Sequence, residues 1–135
     1  MINLEPLCAK YGHRMIRPSG IKISEQENVI TKALGVLTEN GIYAMCINLL
    51  SCNKKKYGKS ILIEDLQALW RENQLNLIHG RQPVTNNPAV LLEQVRNIAE
   101  NLPHLILAKR VTEQALTFAR YHAKADIAMQ PAGGN

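Results

Sequence analysis

The sequence predicts an all-α protein, a single compact helical bundle of about five to six helices. Three observations carry that expectation. Apolar residues recur at the three-and-four spacing of a helix face in several separate stretches. Aromatic residues make up only 4% of the chain, whereas sheet cores draw heavily on aromatic and β-branched side chains. Residues 33–50, ALGVLTENGIYAMCINLL, read as the end of one amphipathic helix, a stop at Glu39-Asn40-Gly41, and the start of a nearly all-apolar helix. Gly41 suits the left-handed position that closes a helix, because it has no Cβ to clash there.

The elements follow in order. A first helix is expected from about Pro6 to Ile16, ended by Arg17-Pro18-Ser19-Gly20, since proline lacks a donor and restricts the residue before it. Ser24 and Glu27 have the spacing of a capping box, and Val29, Ile30, Ala33, Leu34 and Leu37 then mark one helix face up to Gly41. The apolar helix should run from Ile42 to about Cys52, with Asn48 its one polar residue before Ser51. Asn53 to Ser60 is expected as a basic loop, followed by a helix from about Ile61 to Asn73 with a stripe of Leu62, Leu66, Leu69 and Trp70. Residues 75–86, with Gly80 and Pro83, read as a connection. Asn87-Pro88 has the form of a cap with proline in the first turn, and Leu91, Leu92, Val95, Ile98, Ala99 and Leu102 supply the next apolar face.

The last helix is expected from about Pro103 to Ile127. Leu107, Ala108, Val111, Ala115, Phe118, Ala119 and His122 share one arc; Lys109, Arg110, Glu113, Thr117, Arg120, Tyr121 and Lys124 share the opposite one. Residues 1–128 are thus taken as one domain, of which 1–23 form the first helix and its break. The Gly-rich segment 129–135 is expected to be a flexible tail.

A length of 135 residues fits one core, and 46% hydrophobic with 20% charged residues is an ordinary globular balance. The longest apolar run is far short of the roughly 20 residues of a membrane span. The N-terminus lacks the basic-then-apolar order of a secretory signal. The three cysteines, Cys8, Cys46 and Cys52, do not form a disulfide framework. These features point to a cytoplasmic chain with no membrane partner.

Catalytic motifs are missing. Gly58-Lys59-Ser60 resembles the end of a phosphate-binding loop, but Asn53 stands where that motif needs its first glycine, and an apolar helix precedes it instead of a strand. The four histidines, His13, His79, His104 and His122, lack metal-ligand spacing, and Cys8 with His13 lacks two further ligands. His122 is expected to be a core residue hydrogen-bonded to a neighbour. Glu64, Asp65 and Glu113 read as solvated helix charges. The expectation is a protein with no catalytic residue, no cofactor and no metal.

The charge is more telling. The net charge is +5, and it is clustered: Lys10, Arg14, Arg17 and Lys22 stand against Glu5 in residues 1–23, and Lys54, Lys55, Lys56 and Lys59 stand alone in residues 54–60. Clustered positive charge favours a polyanionic partner. The loop around Lys54–Lys56 and Lys59 suits a phosphate backbone, with Tyr57 available for stacking; a merely solvated loop is the equal alternative. Arg110, Arg120 and Lys124 on the last helix, with Arg14 and Arg17 flanking the break, complete the candidate RNA-binding set. Such contacts read backbone and shape, not sequence.

The hairpin also resembles the small α-helical subunit of type III CRISPR effector complexes, the Cmr type (III-B). That family has a GVL-x-E-x-G-(I/L)-Y-A pattern before an apolar helix, met here by Gly35, Val36, Leu37, Glu39, Gly41, Ile42, Tyr43 and Ala44. The segment Glu113–Ile127 is similar to its terminal helix. The likeness covers residues 24–53 and 105–127. It implies a non-catalytic building block that stacks in copies along a ribonucleoprotein filament. Its partners would be the guide RNA and target nucleic acid, the backbone and large effector subunits, and further copies of itself. The alternative is a helical protein-interaction adaptor with basic surfaces and no nucleic-acid role. A nuclease using His122 or His79 is a more distant rival.

Overall fold

The computed structural model describes residues 3–78 and 82–129. His79 and Gly80 of the connection, and all of the tail beyond Met129, lie outside the described residues. Among the described residues the fold is all-α, without a strand: α1 (Glu5–Met15), α2 (Ile23–Asn40), α3 (Ile42–Leu50), α4 (Tyr57–Ser60), a π-helical turn (Ile61–Leu66), α5 (Gln67–Trp70), α6 (Pro88–Ala99) and α7 (Leu102–Ala128). The backbone stays helical through Ser60, Ile61, Leu66 and Gln67, so α4, the π turn and α5 form one continuous rod. Among the described residues six helical rods therefore make the bundle, as expected from the sequence.

Several boundaries move. Lys22, extended, precedes α2, and no side chain caps it. Ser24 consequently lies inside the first turn and the capping box is unused. The break is held by Gln26, which is buried. Its carboxamide donates to the Arg17 carbonyl at 2.7 Å and the Ser19 hydroxyl at 2.9 Å, and accepts from the Arg17 N–H at 3.2 Å. Proline leaves the break short of backbone partners, and a buried carboxamide supplies them. Gly41 has φ +92° and ψ −178°, an extended conformation with positive φ that only glycine adopts easily. Its N–H donates to Leu37 O at 3.0 Å and its carbonyl accepts from Met45 N at 3.1 Å, so one residue ends α2 and starts α3.

The rod from Tyr57 to Trp70 begins four residues earlier than the Ile61 start expected from the sequence and stops before Asn73. In its π turn the Gln67 N–H reaches the Leu62 carbonyl, five residues back. Asn87 caps α6 as expected, accepting from Ala89 N at 2.9 Å. Leu102 belongs to α7 rather than to the apolar face of α6, and it is exposed. Asn101 caps α7 by accepting from His104 N at 3.0 Å.

The core sits around α7, against which α1 and α2 pack. Its buried residues are Ala108, Val111, Thr112, Ala115, Leu116, Ala119 and Ala123. Phe118, Leu107 and His122 lie at the margin instead, so the buried arc is rotated toward Thr112 and Leu116. Small residues there allow close approach: a Cβ on Gly12 of α1 would lie 2.7 Å from the Ala115 carbonyl oxygen. The buried Thr112 hydroxyl is satisfied, because its Oγ1 accepts from Trp70 Nε1 at 2.9 Å.

Candidate nucleic-acid interface

The lysine segment begins where α3 ends at Leu50. Two short bonds fold it: Lys55 N donates to Asn53 O at 2.9 Å and Tyr57 N to Lys54 O at 2.8 Å. Lys55 and Lys56 have φ of +47° and +62°, a left-handed conformation that costs a side-chain-bearing residue about 1 kcal/mol. What holds that turn is the start of the following rod. Tyr57 is 1% exposed and its hydroxyl donates to Met15 O at 2.5 Å. Gly58 presses its backbone on the Leu49 carbonyl, and a Cβ there would meet Cys52 Cβ at 2.9 Å. The loop therefore spans residues 51–56 only, and Tyr57 is an anchor rather than a stacking platform. The glycine that invites comparison with a phosphate loop is there for helix packing.

Lys54, Lys55 and Lys56 are exposed and Lys59 is half-buried. Lys54 Nζ lies 3.8 Å from the Glu25 carboxylate, and the Lys55 stem passes beside Gly20. Among the described residues no acidic group comes within ion-pair distance of Lys55, Lys56 or Lys59. These three ammoniums keep their charge available to solvent and ligand.

The arginines of the N-terminal break are used differently. Asp65, on the π turn, is buried and not a solvated helix charge. Arg17 Nη1 donates to its Oδ2 at 2.6 Å and Arg17 Nη2 to Ser60 Oγ at 2.7 Å, while Arg14 Nε stands 3.5 Å from Oδ1. The Arg17 guanidinium also lies 6.0 Å from the centre of the Tyr57 ring. Burial raises the Asp65 carboxyl above the usual aspartate range, against the opposing pull of Arg17 and Arg14. The cluster locks the α1–α2 break to the rod that carries the lysines. Sequence could have flagged Asp65, since it occupies the i+4 position from Ile61 in an otherwise apolar stripe.

On α7, Arg110 and Lys124 are exposed and Arg120 is half-buried. Fourteen residues separate Arg110 from Lys124, about 21 Å of helix. Lys124 Nζ sits 3.4 Å from the Glu27 carboxylate, which brings it beside the start of α2. Lys124, Lys54, Arg14 and Arg17 thus each meet a carboxylate; Arg110 faces outward at the other end of α7. His122 is half-buried and stacks on His13, with centroids 4.6 Å apart and planes at 20°. That stack replaces the hydrogen-bonded core position expected for it. Among the described residues no group of three or more His, Cys, Asp or Glu could hold a metal ion. No described helix is long and apolar enough to cross a membrane.

No family model, no curated protein and no solved structure matches the chain.

Proposed function

We propose that the chain is a non-catalytic helical subunit of a CRISPR interference ribonucleoprotein of the type III, Cmr-like kind. In this reading it stacks in copies along the complex and contacts the RNA backbone of the guide–target duplex through Lys55, Lys56 and Lys59. The observation that carries the RNA contact is that Lys55 and Lys56 in the left-handed turn, and Lys59 on α4 just after it, have no carboxylate within ion-pair distance among the described residues. Holding like charges together without neutralisation is unfavourable for an isolated fold and favourable once phosphates arrive. The anchored Tyr57 and Gly58 keep the turn in place before binding, so little ordering is required on association. The resemblance of the hairpin pattern through Gly41 supports this family reading and with it the expectation of a building block.

Fluorescence anisotropy with a labelled RNA at several salt concentrations tests the contact. Replacing Lys55, Lys56 and Lys59 together with Ala is expected to weaken binding and to reduce the slope of log K against log salt by about 2, the share of three phosphate contacts on a single strand. Unchanged affinity and slope would overturn it.

One observation favours a protein partner for a different face. Leu102, Ile106 and Tyr121 of α7 are exposed, Ile106 lining one groove with Arg110, and phosphate contacts give apolar side chains no role. This face is assigned to a neighbouring subunit. Co-purification of such a partner after nuclease treatment, lost in Ile106→Asp, is the expected outcome.

A further inference from the structure

The α2–α3 hairpin is closed at Gly41, and its other end lies next to the lysine turn. There it leaves a cleft of about 330 Å³. Glu25, Asn28, Val29 and Lys32 form one wall, and Asn48, Ser51, Cys52, Asn53 and Lys54 form the other. The first four recur at i, i+3, i+4 and i+7, so a single face of α2 is turned to the cleft. Among the described residues, no hydrogen bond engages the side-chain amides of Asn28, Asn48 or Asn53; Ser51 Oγ donates to the Asn48 carbonyl at 2.9 Å.

We propose that this cleft receives one base of the RNA strand whose phosphates lie on the lysine turn, and that its carboxamides favour adenine. A carboxamide offers a donor and an acceptor side by side, the match for the amine and ring nitrogen of adenine. Val29 and Cys52 give the ring faces an apolar surface, and Lys32 stands at the cleft for a flanking phosphate, while Lys54 is paired with Glu25. Single-stranded or splayed bases are the ones that proteins read by their edges. The cleft contains no aromatic residue, so edge hydrogen bonds rather than stacking carry the preference. The inference rests on the RNA-backbone reading above and adds a base-specific element to it.

The test uses the whole chain with fluorescein-labelled ten-nucleotide oligo(A) and oligo(U), read by anisotropy. The unmodified protein is expected to bind oligo(A) about tenfold more tightly, within the range of a good bidentate base contact. The variant Asn28→Ala/Asn48→Ala/Asn53→Ala, checked by circular dichroism for unchanged helicity, should bring oligo(A) down to the oligo(U) level and leave oligo(U) unaltered. A second readout is N-ethylmaleimide modification of Cys52, which lines the cleft, while Cys8 and Cys46 are buried. Oligo(A) should slow it several-fold more than oligo(U). Equal affinities in the unmodified protein, or a preference that survives the asparagine replacements, would overturn the assignment. So would protection of Cys52 by adenosine monophosphate as strong as that by oligo(A), which would mark a free-nucleotide site. If Lys55→Ala/Lys56→Ala/Lys59→Ala loses both oligonucleotides while the asparagine variant changes nothing, the cleft assignment falls alone. If that lysine variant binds both normally, the backbone reading falls and the cleft assignment with it.

Discussion

Arg14 and Arg17 at the end of α1 and Lys55, Lys56 and Lys59 after α3 belong to two basic clusters of one small molecule, and the fold treats them in opposite ways. The arginines turn inward onto Asp65, where planar guanidiniums serve two acceptors at once. Lys55 and Lys56 turn outward on a left-handed segment and Lys59 follows half-buried on α4, with no carboxylate within ion-pair distance of them among the described residues. Positive charge in a sequence is therefore not a measure of binding surface. What decides is whether folding brings a buried acceptor within reach, and Asp65 lies 48 residues beyond Arg17 in the chain.

The largest effect expected from this contrast is on stability. Arg17→Ala should destabilise the fold by about 3 kcal/mol near neutral pH, because it strands a buried carboxylate, measured by urea unfolding. The loss has a defined pH dependence. Asp65 is already raised by burial, and without Arg17 it rises further. A carboxyl raised in the folded state favours folding most below its unfolded value and loses that contribution as pH climbs through the folded one. The deficit of Arg17→Ala should thus shrink as pH falls from 7 toward 4. A loss below about 1 kcal/mol would equate the two clusters and break the comparison.

A smaller but still large change is expected at the foot of the lysine turn. Gly58→Ala pushes a Cβ into the Leu49 carbonyl and the Cys52 Cβ, and should cost about 2 kcal/mol by overpacking. Gly35→Ala, where an added Cβ meets nothing within 4 Å, should instead stabilise α2 by about 0.5–1 kcal/mol. Replacing Lys55, Lys56 and Lys59 with Ala should alter stability by less than about 0.5 kcal/mol, since exposed side chains away from special contacts rarely do more. Thermal unfolding of the lysine variant beside Arg17→Ala separates a binding cluster from a structural one. Lys56→Gly should gain about 0.5 kcal/mol by relieving its left-handed backbone. An equally small effect is assigned to the Lys124–Glu27 pair, whose lysine is exposed and whose carboxylate is half-buried, about 0.5 kcal/mol in a double-mutant cycle.

The thiols sharpen the same contrast between inside and outside. Burial pushes Cys8 up to about 11 and Cys46 up to about 12. At pH 8 a maleimide should therefore modify Cys52 alone in the native protein, and all three thiols once the chain is unfolded in urea. Modification of Cys8 or Cys46 without denaturant would show that α1 or α3 opens.

Much of the fold was legible because it rests on local signals. The apolar stripes, Asn87-Pro88, and the Gly41 junction each act within a few residues, and each was found. Where a contact from beyond the neighbouring helical turn competes with a local signal, the reading failed. Ser24 and Glu27 have a capping spacing, yet Gln26 holds the turn instead because it is folded against Arg17 and Ser19. Tyr57 looks like a surface ring among lysines, yet Met15 accepts its hydroxyl from 42 residues away. His122 is drawn to the edge of α7 by its stack on His13. The lysine set was visible as a charge run; its division into paired Lys54 and unpaired Lys55, Lys56 and Lys59 was not, because Glu25 belongs to another helix.

Sequence by itself determined the all-α class, the helical hairpin at Gly41 and the concentration of positive charge, since periodicity, backbone permissiveness and composition are properties of neighbouring residues. Tertiary structure alone decided which basic residues remain exposed, which carboxylate is buried, and that three asparagines from two helices and a turn line one cleft. Those outcomes depend on distances between segments far apart in the chain, and no local pattern encodes such distances.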